Sequence, residues 1–208
     1  MRVLIACEES QTVCKEFRAL GHQAYSADIL PCSGGYPEWH IQGDVTKILN
    51  DGWDLMIAHP PCTYLAVSGN RWLYNKDGGK NEERWKNRAE ALDFVRTLLE
   101  APIERIALEN PVSVISSQIR KPEQIIQPYM FGDQATKTTC LWLKNLPLLY
   151  PTDLVDKGER VVYKSGKSHP KWYAEALSKA KTAEERRTLR SKTFIGIAKA
   201  MANQWGNI

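Results

Sequence analysis

The chain is built from short apolar runs that each stop at a polar cluster, and this recurrence limits what it can fold into. RVLIAC (2–7) runs into EES, HQAYSAD (22–28) ends on Asp28, WDLMIAHPPC ends in a Pro-Pro turn and Cys62, and ERIALENP ends on Glu109, Asn110 and Pro111. Apolar runs of this length, bounded by turn formers, are characteristic of buried strands. Stretches of helical spacing lie between them. Val13, Phe17 and Leu20 precede a stop at Gly21, and a charged helix from about Glu82 to Glu100 is expected to carry Trp85, Ala89, Leu92, Val95, Leu98 and Leu99 on one face.

Strands alternating with helices predict an α/β fold, a mostly parallel twisted sheet with helices on both faces. Ligands of such sheets collect at the carboxyl ends of the strands. Glu8, Glu9, Asp28, Asp44, residues 59–62 and residues 109–111 are therefore expected on one rim. Asp44 should open a short helix with Val45, Ile48 and Leu49 inward. Later in the chain, a β segment turns at residues 145–147, and SKTFIGIAKAMANQW reads as a terminal amphipathic helix with Ser191 as its cap.

At 208 residues and 43% hydrophobic content, the sequence fits one domain of this class. Its N-terminal apolar run is too short for a signal peptide or a membrane span, and no later stretch approaches ~20 apolar residues, so a soluble, cytoplasmic protein is expected. The five cysteines are scattered, with no C-x-x-C pair, and read as free thiols. A net charge of +4 is too modest to declare nucleic acid as the partner. Its distribution says more: residues 151–190 hold ten basic and six acidic side chains, a surplus equal to the whole net charge. With Tyr163, Trp172 and Tyr173 interleaved, that stretch could track a phosphate backbone and stack bases, or could equally be a solvated loop and helix face.

Cys62 is the first residue suited to chemistry. A cysteine held by a Pro-Pro turn at a strand end sits on a stiff platform, as a nucleophile with fixed aim requires. An isolated cysteine is more often a small buried hydrophobe. Glu109 shifts the balance. Thiolate addition to C6 of a cytosine puts negative charge into the ring, and a glutamic acid with a raised pKa at N3 would stabilise it.

These residues resemble a family. AHPPCTYLAVSG resembles the Pro-Cys nucleophile motif of cytosine-5 methyltransferases, and ALENP their Glu-Asn motif one strand later. ADI (Asp28) and GDV (Asp44) stand where that family places acids for the cofactor ribose and adenine, and SKTFIGIAKAMANQW resembles its terminal motif. The likeness covers residues 1–149 and 188–205 in order and is closest to compact phage-type members. It implies a Rossmann-like class I S-adenosylmethionine-dependent methyltransferase fold over residues 1–208. Residues 150–190 would be a short basic insertion in place of a target-recognition domain, and 191–205 a helix completing the cofactor pocket.

Carried over residue by residue, the resemblance implies Cys62 as nucleophile, Glu109 as the N3 partner and Asn110 positioning the Pro-Cys loop. S-adenosylmethionine, or a modified form of it, would contact Cys7, Glu8, Asp28, Ile29, Asp44, Val45, His59, Pro60, Lys192 and Thr193. Ser68, Arg71, Lys137 and Thr138 would bind substrate, with Trp72 stacking a base or lying in the core. Lys192 could pair with a carboxylate on a modified cofactor, which would make the product carboxymethylated rather than methylated, or could be an exposed lysine at the helix start. The implied setting is the cytoplasm of a bacterial or phage-infected cell.

Two departures bear on substrate and cofactor. The family's first motif is glycine-rich, so that backbone can approach the cofactor, whereas IACEESQTV has no glycine, and either Glu8 or Ser10 reaches the amino acid or the cofactor differs. The recognition domain is also missing. Extracting a base from a duplex needs surface to fill the gap, so the expected partner is single-stranded DNA, DNA read with weak sequence specificity, or a free cytosine nucleotide. Folate-dependent C5 modification, and a catalytically silent nucleic-acid-binding relative, remain as alternatives. A hydrolase using His59 and Cys62 is disfavoured by their closeness across the turn.

Overall fold

The computed structural model describes the backbone of residues 1–208 and the side chains of all but Ala183, Glu184 and Arg187. Its centre is a seven-stranded sheet of β1 (Arg2–Ala6), β2 (Gln23–Asp28), β3 (His40–Gln42), β4 (Leu55–Ala58), β5 (Arg105–Asn110), β6 (Gln124–Ile126) and β7 (Thr139–Lys144). The order across the sheet is β3-β2-β1-β4-β5-β7-β6. The first five are parallel, and β7 runs antiparallel to both β5 and β6. The predicted α/β class with a mostly parallel sheet is thus what the chain adopts.

Central parallel strands are covered on both faces, which is why β4 is apolar throughout. Alternation along β1 divides the core. Val3 and Ile5 face a cluster holding Val13 and Phe17 of α1 (Thr12–Ala19) and Ile197, Met201 and Trp205 of α6 (Ile195–Trp205). Leu4 and Ala6 face the other cluster, with Val45, Leu49 and Leu92, Val95 and Leu98 of α2 (Glu82–Leu99). No helix among the described residues is long and apolar enough to cross a membrane.

Several expectations need correction. On α2, Ala89 is exposed and the inner face carries Arg88, which is buried. Hydrogen bonding explains this inversion, because the Arg88 guanidinium donates to the Tyr64 carbonyl (2.9 Å) and to Asn70 Oδ1 (2.7 Å). Asp44 does act as a cap, its Oδ1 accepting from the Thr46 N–H, but it opens only a 3-10 turn, Val45–Ile48. Ser191 is not the cap of the terminal helix. It ends α5 (Ala183–Ser191), and its hydroxyl donates back to Thr188 O; α6 starts four residues later with no side-chain cap.

Residues 151–190 are more ordered than a loop and one helix face. They include an antiparallel hairpin, β8 (Arg160–Val162) and β9 (Ser168–Pro170), then α4 (Lys171–Lys179) and α5. A short α3 (Ile115–Gln118) lies between β5 and β6. Trp172 of α4 fastens the hairpin region to the body, its Nε1–H donating to Thr136 O (3.2 Å) and its ring meeting Phe194 edge to face at 5.4 Å.

Candidate active site

Register brings the first two site residues together. β4 and β5 pair in parallel with Ala58 opposite Leu108, so the next residues on each strand, His59 and Glu109, stand side by side. His59 Nδ1 lies 3.0 Å from Glu109 Oε2, and both side chains are largely buried. One residue on, Asn110 Nδ2 donates to the Pro60 carbonyl (2.9 Å), fixing the Pro-Pro turn to the end of β5. Pro60 itself has no N–H to anchor it, so this bond holds the turn from its carbonyl side.

Cys62 comes next on that turn. It is half-buried, and its carbonyl accepts from the N–H groups of Leu65 and Ala66. Burial, with the Glu109 charge second, pushes its thiol up, while Lys137 and Arg190 pull the other way. Cations facing a thiol favour the thiolate that nucleophilic attack requires. Burial also opposes ionisation of Glu109, yet the His59 hydrogen bond and the charges of Lys137 and His59 outweigh it. The carboxyl is therefore held below its usual range, the reverse of the raised value expected from sequence.

Lys137 joins this cluster from the loop before β7. Its Nζ donates to the carbonyls of Lys192 (2.9 Å) and Ser191 (3.5 Å), latching the start of the terminal segment. The Lys192 side chain is exposed and Thr193 half-buried. Thr138 is exposed and accepts from Gln127 Nε2. His59 Nε2 and Asn110 Oδ1 are buried and have no hydrogen-bond partner among the described residues. Unsatisfied buried polar atoms are rare and concentrate at functional sites.

Beside the cluster is a cavity of about 390 Å³, lined by Cys7, Asp28, Ile29, Asp44, Val45 and Pro60, with Asn87 and Phe94 of α2 closing one side. Its size suits a small cofactor or nucleotide. Asp28 and Asp44 both face Cys7, whose thiol is pushed up to about 12 by burial and then by those two charges, so it is an inert wall. Burial raises Asp28, whose Oδ1 accepts from the Leu30 N–H. Two carboxylates in an apolar pocket suit ribose hydroxyls and an exocyclic amine, and the exposed side chain of Ile29 can cover a flat ring. The residues present fit the nucleoside part of S-adenosylmethionine.

The glycine-free loop solves its geometry differently. Cys7 and Gln11 adopt left-handed backbone, at φ 60° and 58°, positions that ordinarily favour glycine. Close approach comes from the neighbouring loop, where a Cβ on Gly34 would sit 2.5 Å from Gln11 Cβ and from Ser10 O. Glu8 is buried with its carboxylate accepting from the Val13 (2.7 Å) and Cys14 (3.2 Å) N–H groups at the start of α1. That helix terminus, a ready anion site, is filled by the protein's own acid.

On the outer side, the 3-10 stretch Val67–Leu73 carries Ser68, Arg71 and Trp72, all exposed. Trp72 is 54% exposed with the Arg71 guanidinium 4.5 Å from its ring centroid, which excludes a core role. Arg84 donates to Thr63 O and lies over the Tyr64 ring, and Arg88 holds Tyr64 and Asn70, so α2 braces the loop after Cys62 from two points. Neither arginine stood out in the sequence. An arginine one helical turn from Leu92, on the apolar face, was the available signal for Arg88.

No family model matches the chain, and no curated protein matches it. Among solved structures it is similar to a candidate DNA modification methyltransferase encoded within an E. coli prophage, at 15% identity and a TM-score of 0.49, covering 75% of this chain and 52% of that one. The chain thus matches about half the length of that protein.

Proposed function

We propose that the chain is a cytosine-5 methyltransferase of the class I, Rossmann-like type, using S-adenosylmethionine and acting through a covalent Cys62 adduct at C6. The Asn110–Pro60 hydrogen bond carries this reading, because it ties the end of β5, with its acid, to the turn that presents the thiol. Glu109 would bind the pyrimidine at N3, and Lys137 and Arg190 would favour thiolate at Cys62. Asp28 and Asp44 would hold the cofactor's nucleoside, with Pro60 lining the same cavity, whereas His59 is not among its lining residues and pairs with Glu109. S-adenosylmethionine would supply an electrophilic methyl group when bound. Its amino-acid part would be held away from the α1 terminus, since Glu8 occupies the N–H groups there.

On the substrate side, the proposed occupant is a single strand. Arg71 and Trp72, on the 3-10 stretch after Cys62, would offer a phosphate contact and a stacking face. Tyr163, His169 and Tyr173 form a ring cluster with Arg190 over Tyr173 at 5.2 Å. DNA in single-stranded form, or a cytosine nucleotide, is the proposed partner. The test is incubation with S-adenosylmethionine and, separately, dCMP, single-stranded and duplex DNA, followed by digestion and mass spectrometry of the nucleosides. A one-carbon mass gain on cytosine, lost in Cys62→Ala, is the expected result. A gain on adenine, or transfer that persists in Cys62→Ala, overturns the proposal.

A further inference from the structure

The cavity that holds Asp28 and Asp44 has a wall that the resemblance to a family did not supply. Asn87, Glu90, Ala91 and Phe94 of α2 all line it. Spacings of three, four and seven residues place them on one face of the helix. Ala91 and Phe94 give apolar surface and pack against the second core cluster. Glu90 is exposed and lies 3.8 Å from Lys86. Asn87 is different. It is half-buried, and while its neighbours Arg84 and Arg88 are committed to backbone carbonyls, its amide makes no hydrogen bond among the described residues. The helix is held on both sides of it, Arg84 donating to Thr63 O (3.1 Å) and Arg88 to the carbonyl of Tyr64 (2.9 Å), and Tyr64 lines the same cavity. The amide is thus fixed relative to the turn that carries Cys62.

Carboxylates only accept hydrogen bonds, so Asp28 and Asp44 suit hydroxyls and an exocyclic amine but have nothing to give a ring nitrogen. Oδ1 of Asp44 is moreover shared by the N–H and the hydroxyl of Thr46. Asn87 is the lining side chain that sets a donor and an acceptor side by side in one plane. Adenine presents the complement, an amine next to a ring nitrogen, and a carboxamide is the side chain that matches that pair. We infer that Asn87 reads the adenine of the cofactor, its Oδ1 accepting from the exocyclic amine and its Nδ2–H donating to the adjoining ring nitrogen. This rests on the S-adenosylmethionine reading. Phe94 and Ala91, one and two turns further along α2, would cover the apolar face of the same base.

The test is binding, not turnover. Calorimetry on the full chain compares S-adenosylhomocysteine with its 6-deamino analogue, in which hydrogen replaces the amine, for wild type, Asn87→Leu and Asn87→Asp. Asn87→Leu loses both contacts and should bind S-adenosylhomocysteine roughly tenfold more weakly or worse, the effect of a lost bidentate pair. The deamino analogue, which never had the amine contact, should weaken less, so the preference for the amine narrows. Asn87→Asp keeps an acceptor and loses the donor; it should weaken both ligands and keep the preference. A residue with only a structural role would weaken both ligands by one factor in Asn87→Leu. That result, or S-adenosylhomocysteine bound equally by wild type and Asn87→Leu, overturns the assignment of Asn87 and leaves the cofactor reading standing. Should Asn87→Leu fail to fold, an amine preference lost in Asn87→Asp overturns it as well. Wild type that binds neither S-adenosylhomocysteine nor S-adenosylmethionine overturns the cofactor reading itself, by a different result.

Discussion

Asn110 Nδ2 and the Pro60 carbonyl, 2.9 Å apart, join two strand ends at the point where the chain leaves the sheet. The pair is buried, so Asn110→Ala leaves the Pro60 carbonyl without its donor. We expect a loss of about 1–3 kcal/mol in stability, measured by urea unfolding. A Cys62 loop free to shift by about 1 Å would lower transfer by roughly 100-fold. Asn110→Asp should be no better, since a carboxylate brings no donor.

Arg88 is the brace on the other side of the loop. Replacing it with methionine preserves the stem and removes donors to Tyr64 O and Asn70 Oδ1. The expected cost is about 3 kcal/mol, read as a lower urea midpoint. A stability unchanged from wild type would mean that the brace is dispensable.

Glu8 and Glu109 should give opposite pH slopes. Burial raises Glu8 above the ordinary glutamate value of 4.5 despite its backbone partners, so its folded form binds a proton more tightly than the unfolded chain. Its contribution is full below 4.5 and declines as pH rises through the folded value. Glu109 is held below 4.5, so its contribution is present above that value and lost as pH falls. Unfolding free energies between about pH 3 and 8 should therefore flatten on the alkaline side in Glu8→Gln and on the acid side in Glu109→Gln.

Cys62 should alkylate slowly at neutral pH and faster as pH rises, because burial and Glu109 disfavour its thiolate. Removing the neighbouring charge in Glu109→Gln should speed iodoacetamide labelling at Cys62, because that charge disfavours the thiolate. Peptide mapping by mass spectrometry separates it from Cys32.

The parallel strands and the rim residues were legible because each buried strand is an apolar run with a polar end. Cys62, Glu109 and Asn110 could be named for the same reason. Three features were not legible. The His59–Glu109 contact depends on register between strands about fifty residues apart, which periodicity does not encode. Arg88 breaks the rule that inner faces are apolar, since its hydrogen bonds lie on a distant loop. Glu8 was expected to reach outward to a ligand, but it turns onto its own helix because α1 has no side-chain cap and its N–H groups need an acceptor.

The packing of α1 against α6 carries its own consequence. These helices bury Phe17, Met201 and Trp205 together although roughly 180 residues of chain separate them, so their meeting closes one long loop, whose entropic cost grows only slowly with length. The connecting chain passes through the hairpin and α4. A single protease cut there would leave α6 as a detached peptide, retained only at concentrations above its own dissociation constant, and the integrity of this face would become dependent on dilution.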